Sequence, residues 1–137
     1  MIESLHILLL ALFLPLGLIP IEKMFPYPHV IEELAKALLV LAIYQKEKQL
    51  DKKLFNLVLL SGLLFTLSES IFYLINILNL GDLVMIPKRL LFTGILHCGT
   101  IVTMYLLGRK NNINFAVAVF LSIIAHYLYN LWAGNFF

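Results

Sequence analysis

Five apolar stretches divide the chain, and the polar residues inside them recur at the spacing of helices, not of strands. They run over about 2–19, 29–44, 54–78, 88–107 and 114–134, lengths close to the ~20 residues with which an α-helix crosses a bilayer. Pro20 stops the first, and a loop from Pro20 to Pro28 carries the pair Glu22/Lys23. The segment from Gln45 to Lys53 holds the densest charge, Asn79–Asp82 turns the chain ahead of Pro87, and Gly108–Asn112 separates the last two stretches. The pattern predicts an all-α, polytopic transmembrane bundle of about five spans forming a single domain over residues 1–137.

Polar positions within the stretches fall on one face each. In the third, Ser61, Gly62, Phe65, Ser68, Glu69, Phe72, Tyr73 and Asn76 occupy an arc of about 140° at 3.6 residues per turn. In the fourth, Arg89, Thr93, His97, Thr100 and Met104 share about 80°, and in the fifth Ser122, His126, Tyr129 and Asn130 share about 100°. The second stretch opens with Glu32-Glu33-Leu34-Ala35-Lys36, which sets Lys36 one turn deeper than both carboxylates and between them. Taken alone, that stretch is a neutralised cap at the headgroups. Counting depth changes the reading. Glu69, His97 and His126 each lie roughly 12–14 Å in from the same boundary, at 1.5 Å per residue, although their spans alternate in direction. A charge held deep in a bilayer costs about 3 kcal/mol on insertion scales, so such groups face a polar interior. A shared, water-accessible cavity is the economical account.

Composition agrees with the membrane assignment: 61% of residues are hydrophobic, 13% are charged and the mean hydropathy is +0.94. The net charge of +2 comes from loop lysines and calls for no nucleic acid. Lys46, Lys48, Lys52, Lys53, Arg109 and Lys110 stand on one side against Lys23, Lys88 and Arg89 on the other, which predicts a cytoplasmic N-terminus and an external C-terminus. The first stretch lacks a basic leader and a cleavage site, and reads as a retained helix. The single cysteine, Cys98, forms no intrachain disulfide. Ser61, Ser68, Thr93, Thr100 and Ser122 read as helix–helix glue.

Glu69, His97 and His126 at one depth, with Glu32 and Glu33 entering from the same side at shallower depth, suit hydrolysis. Glu69, His97 and His126 make a His2Glu set for a divalent metal, zinc, with a carboxylate of Glu32 or Glu33 left to activate water. Without metal, the Glu32/Glu33 pair could itself be the base, with the histidines and Asn130 stabilising the oxyanion. No phosphate loop, GxSxG or HExxH motif is present.

E-E-x-x-K at Glu32–Lys36, G-x-x-F-x-x-x-E at Gly62–Glu69, His97 alone in the next span and H-x-x-x-N at His126–Asn130 resemble the PrsW family of intramembrane peptidases. In looser form the same order resembles the wider CAAX-protease and bacteriocin-processing group. The resemblance covers about residues 30–133. It implies a multi-pass peptidase of a bacterial or archaeal cell membrane, cleaving a membrane-protein or peptide substrate near the extracytoplasmic face. It implies that Glu32 and Glu33 are the catalytic glutamates with Lys36 as their partner, that Glu69, His97 and His126 complete the site, and that Asn130 supports it. Two features depart from the family: Ser70 replaces the usual Asn after the glutamate, and the chain is short. Two other classes compete with a peptidase: a non-proteolytic binding or immunity-type relative, and a small ion or proton carrier. Against a carrier, no inverted repeat is visible and the polar positions thin out towards the cytoplasmic half.

Overall fold

The computed structural model describes residues 2–44, 52–80 and 83–134. They form five helices: α1 (Ile2–Glu22), α2 (Pro28–Tyr44), α3 (Lys52–Leu80), α4 (Met85–Gly108) and α5 (Asn112–Ala133). The protein is an all-helical bundle, and four of its helices, α1, α3, α4 and α5, are long and apolar enough to cross a membrane. The charged segment over residues 45–51 and the turn residues Gly81 and Asp82 lie outside the described residues, as do the side chains of Phe72, Tyr73 and Asn76.

Helix ends depart from the sequence boundaries at prolines and caps. α1 passes Pro20 and ends at Glu22, because a proline near a helix terminus removes only its own donor, and the ladder resumes with Lys23 N donating to the Ile19 carbonyl at 3.1 Å. α4 starts at Met85, two residues before Pro87, which sits in a first turn whose N–H groups have no intrahelical acceptor. α5 starts at Asn112 behind Asn111, whose Oδ1 accepts from Asn114 N at 2.7 Å as an N-cap.

α2 is the exception in length and the hub in packing. Its 17 residues span about 26 Å, short of the ~30 Å hydrocarbon core. It touches all four other helices, whereas those four form an open row in the order α1, α3, α4, α5. The row leaves one strip of α2 uncovered, and there the chain places Leu34, Leu38 and Leu41 at i, i+4 and i+7, all exposed. The opposite face carries Glu33, Lys36, Val40 and Ile43, all with no exposure.

The bundle has two unlike halves. Towards the end bearing Tyr44, Lys52 and Gly108, the interior is apolar: Val40, Ile43, Val58, Ile101 and Met104 are fully buried. Tyr44 stacks on Tyr105 at 5.5 Å and donates its hydroxyl to the carbonyls of Met104, at 3.0 Å, and Tyr105. Gly108 is required here, since a Cβ would lie 2.5 Å from Phe115 and 2.7 Å from the Tyr44 hydroxyl. Midway along, Gly62 lets α3 and α4 approach backbone to backbone; a Cβ would lie 2.9 Å from the Cys98 Cα. That approach sets the register in which Phe65 and Glu69 meet α4. Beyond it the interior turns polar.

Candidate functional site

Glu33, one turn into α2 from Pro28, is fully buried, and Lys36 donates from Nζ to its Oε1 at 2.5 Å. The ammonium also reaches Thr100 Oγ1 on α4 at 3.4 Å and lies 4.9 Å from the ring centre of Phe65 on α3. The i,i+3 spacing on α2 makes the first contact, and the stripes on α3 and α4 make the other two. Lys36 has no exposure at all and is paired to the equally buried Glu33, so its removal would leave a buried carboxylate without its ammonium.

His126 of α5 sits 2.7 Å from the same Glu33 oxygen through Nδ1. A carboxylate only accepts, so Nδ1 donates, and in the neutral ring Nε2 carries the lone pair. Nε2 faces Glu32 Oε2 at 3.7 Å. On α4, His97 repeats the arrangement with its nitrogens exchanged. Its Nε2 hydrogen-bonds Glu69 Oε2, and its Nδ1, the lone-pair nitrogen, is buried with no partner. The two imidazoles meet edge to face at 5.4 Å, with Phe65 5.1 Å from His97 and His29 6.0 Å from His126. Glu32, His97 and His126 thus each bring one ligand-type atom within 4.8 Å of the other two. Of these groups, Glu32 Oε2 and His97 Nδ1 are buried without a hydrogen-bond partner. Glu32, Glu33 and Glu69 thus stand around one buried ammonium, that of Lys36.

The structure redistributes roles that helix spacing had suggested. Glu69 does not belong to the converging set; it holds His97 from the far nitrogen, and Glu32 takes its place. The reason is reach: both carboxylates face the interior, but Glu69 is spent on Nε2, whereas Glu32 Oε2 has no hydrogen bond. Glu33 and Lys36 lie where their spacing puts them. Asn130, one turn past His126, is exposed and stands away from the buried groups, in keeping with its place at the margin of the α5 polar arc. Glu22, read from sequence as a loop residue, ends α1 half-buried and within electrostatic reach of Glu32 and Glu69; treating Pro20 as the helix stop concealed it. His29 was only a span boundary in the sequence, yet it is buried against His126 and Tyr127.

The hydroxyls divide into three kinds. Ser61 and Thr66 donate to carbonyls of their own helix, Leu57 at 2.8 Å and Gly62 at 2.9 Å, and glue nothing. Thr93 and Tyr129 share a 2.8 Å hydrogen bond that ties α4 to α5 one turn above the histidines. Ser68 and Ser122 are buried without a partner. No known family matches this chain, and neither does any curated protein or solved structure.

Proposed function

We propose that the protein is a PrsW-like intramembrane peptidase whose site holds one divalent metal, zinc, between Glu32, His97 and His126. One observation carries the reading: Glu32, His97 and His126 each bring one ligand-type atom within 4.8 Å of the other two, and Glu32 Oε2 and His97 Nδ1 are buried without a hydrogen bond. An orphaned acceptor deep in a bilayer is costly, and a cation between these residues would satisfy Glu32 Oε2 and His97 Nδ1 at once. The outer nitrogens support the fit, since Glu69 on His97 and Glu33 on His126 are the carboxylate–histidine partners that orient metal-bound imidazoles. A bound zinc would lower the pKa of its water to about 7, which would make a nucleophile available at neutral pH.

The chain's own residues supply the rest. Lys36 and His126 hold Glu33 by Oε1, and its Oε2 is buried and free of hydrogen bonds. Glu33 is therefore the base: it takes a proton from water as the oxygen adds to the peptide carbonyl, and returns it to the amine as the C–N bond breaks. The substrate is a membrane protein or peptide, and the setting is a bacterial or archaeal cell membrane with the site towards the external face. The apolar half weighs against a carrier, because fully buried Val58, Ile101 and Met104 interrupt any polar path.

Metal analysis of the purified protein tests this directly. The wild type should hold about one zinc per chain, His97→Ala and His126→Ala should lose it, and Glu33→Gln should keep it while losing cleavage. A wild type that takes up no more zinc than His97→Ala would remove the metal from the proposal. The orientation has its own test: an external thiol reagent should modify a cysteine at Leu83 and spare one at Gln49.

A further inference from the structure

Between α4 and α5 a groove of about 290 Å³ opens on the bundle surface. Exposed Ile95 and Leu121 form its apolar rim. Gly99 adds open space, for a Cβ there would meet nothing within 4 Å. The floor is polar. Thr100 is buried and its Oγ1 is the atom that receives Lys36 Nζ, so the floor adjoins the Glu33–Lys36 pair. Ser122 is 2% exposed, lines the groove, and its hydroxyl has no hydrogen-bond partner. It stands one helical turn before His126 on the same face of α5.

An unpartnered hydroxyl beneath an opening on the bundle surface is placed to serve a ligand with its own donors or acceptors. An acyl chain has neither. A regular transmembrane helix keeps its peptide groups paired internally. A segment that has lost helical hydrogen bonds over a few residues presents free N–H and C=O groups, and a scissile peptide must be unwound in that way to be attacked. Small side chains would let such a segment approach the Gly99 space closely. We infer that the α4/α5 groove receives a transmembrane segment of the substrate, locally unwound and rich in small residues, and that Ser122 satisfies one of its freed peptide groups. This inference rests on the peptidase reading and names the route by which substrate reaches that site from the bilayer.

The test uses the full chain in phosphatidylcholine vesicles with a synthetic peptide of about 20 residues, leucine-rich and carrying a central Gly-Ser-Gly and a diazirine. In the Glu33→Gln background, where binding is read without turnover, light should join the peptide to α4 and α5. Gly99→Leu should cut the adduct about tenfold, and Ser122→Ala about threefold, the value of one interhelical hydrogen bond in lipid. Ala125→Leu, at an exposed groove position, should repeat the loss and guards against misfolding of the Gly99 variant. Adducts unchanged by both leucines, or equal at the Leu38 strip of α2, overturn the inference. So do chain-to-chain adducts, which would give the groove to a second copy, and full competition by a diazirine phospholipid, which would give it to acyl chains. The two readings separate cleanly. Docking without cleavage by the wild type keeps the groove and removes the peptidase, while cleavage undiminished by Gly99→Leu keeps the peptidase and removes the groove.

Discussion

The two halves of the bundle are built from the same helices and obey opposite rules. Around Val58, Ile101 and Met104, the interior is what lipid would accept anyway, and shape alone holds it. Around Glu33, Lys36, His97 and His126, the interior is what lipid would reject, and each of these four is bound to another helix through a named atom. Removing a methyl group from the first half leaves a void; removing a charge from the second leaves an unpaired charge. The difference teaches that the polar half carries the specificity of the assembly and the apolar half its packing.

Lys36→Met strikes that distinction hardest. It should destabilise the bundle by about 4 kcal/mol, the penalty of stranding a buried carboxylate, and adding Glu33→Gln should restore most of the loss in the same unfolding titration. If the single variant is as stable as the wild type, the polar half is wetter and more tolerant than its geometry indicates. Ile101→Ala probes the other half. A cavity there should cost about 3 kcal/mol with metal content unaltered, so stability and zinc analysis on one sample separate packing from site; coincident loss of both would merge the halves into one unit. The smallest effect belongs to the seam above the histidines. Thr93→Val removes the hydrogen bond to Tyr129 and should cost about 0.6 kcal/mol, a shift best resolved in a double-mutant cycle with Tyr129→Phe.

How much of this was legible in the sequence depends on what helical period encodes. Period encodes faces, so the inward stripes of α3, α4 and α5 and the joint depth of Glu69, His97 and His126 could be read, as could the Glu33–Lys36 spacing. It does not encode which of two inward carboxylates reaches a given nitrogen. Glu32, and not Glu69, joins the two histidines because imidazole orientation is decided by rotamers and by neighbours on other helices. Asn130 lay at the margin of its arc, and a margin residue can fall on either side of the surface. Pro20 looked like an end and was passed, because proline forbids one hydrogen bond and not a helix terminus. The back-bonded Ser61 and Thr66 carry no sequence mark that separates them from Thr93, whose partner lies on another helix.

The short central helix has a consequence for biogenesis. α2 carries Glu32, Glu33 and Lys36, which together oppose membrane insertion by roughly 8–10 kcal/mol on the translocon scale, while each of its leucines returns only about 0.5 kcal/mol. It leaves the ribosome before α3, α4 and α5, the helices that bring Glu69, His97, Thr100 and His126 to meet those charges. α2 is thus the segment least able to insert alone, and its entry is expected to follow that of α3, α4 and α5. A chain halted after Tyr44 should leave a cysteine at Leu38 open to aqueous reagents, and one extended through Ala133 should close it off.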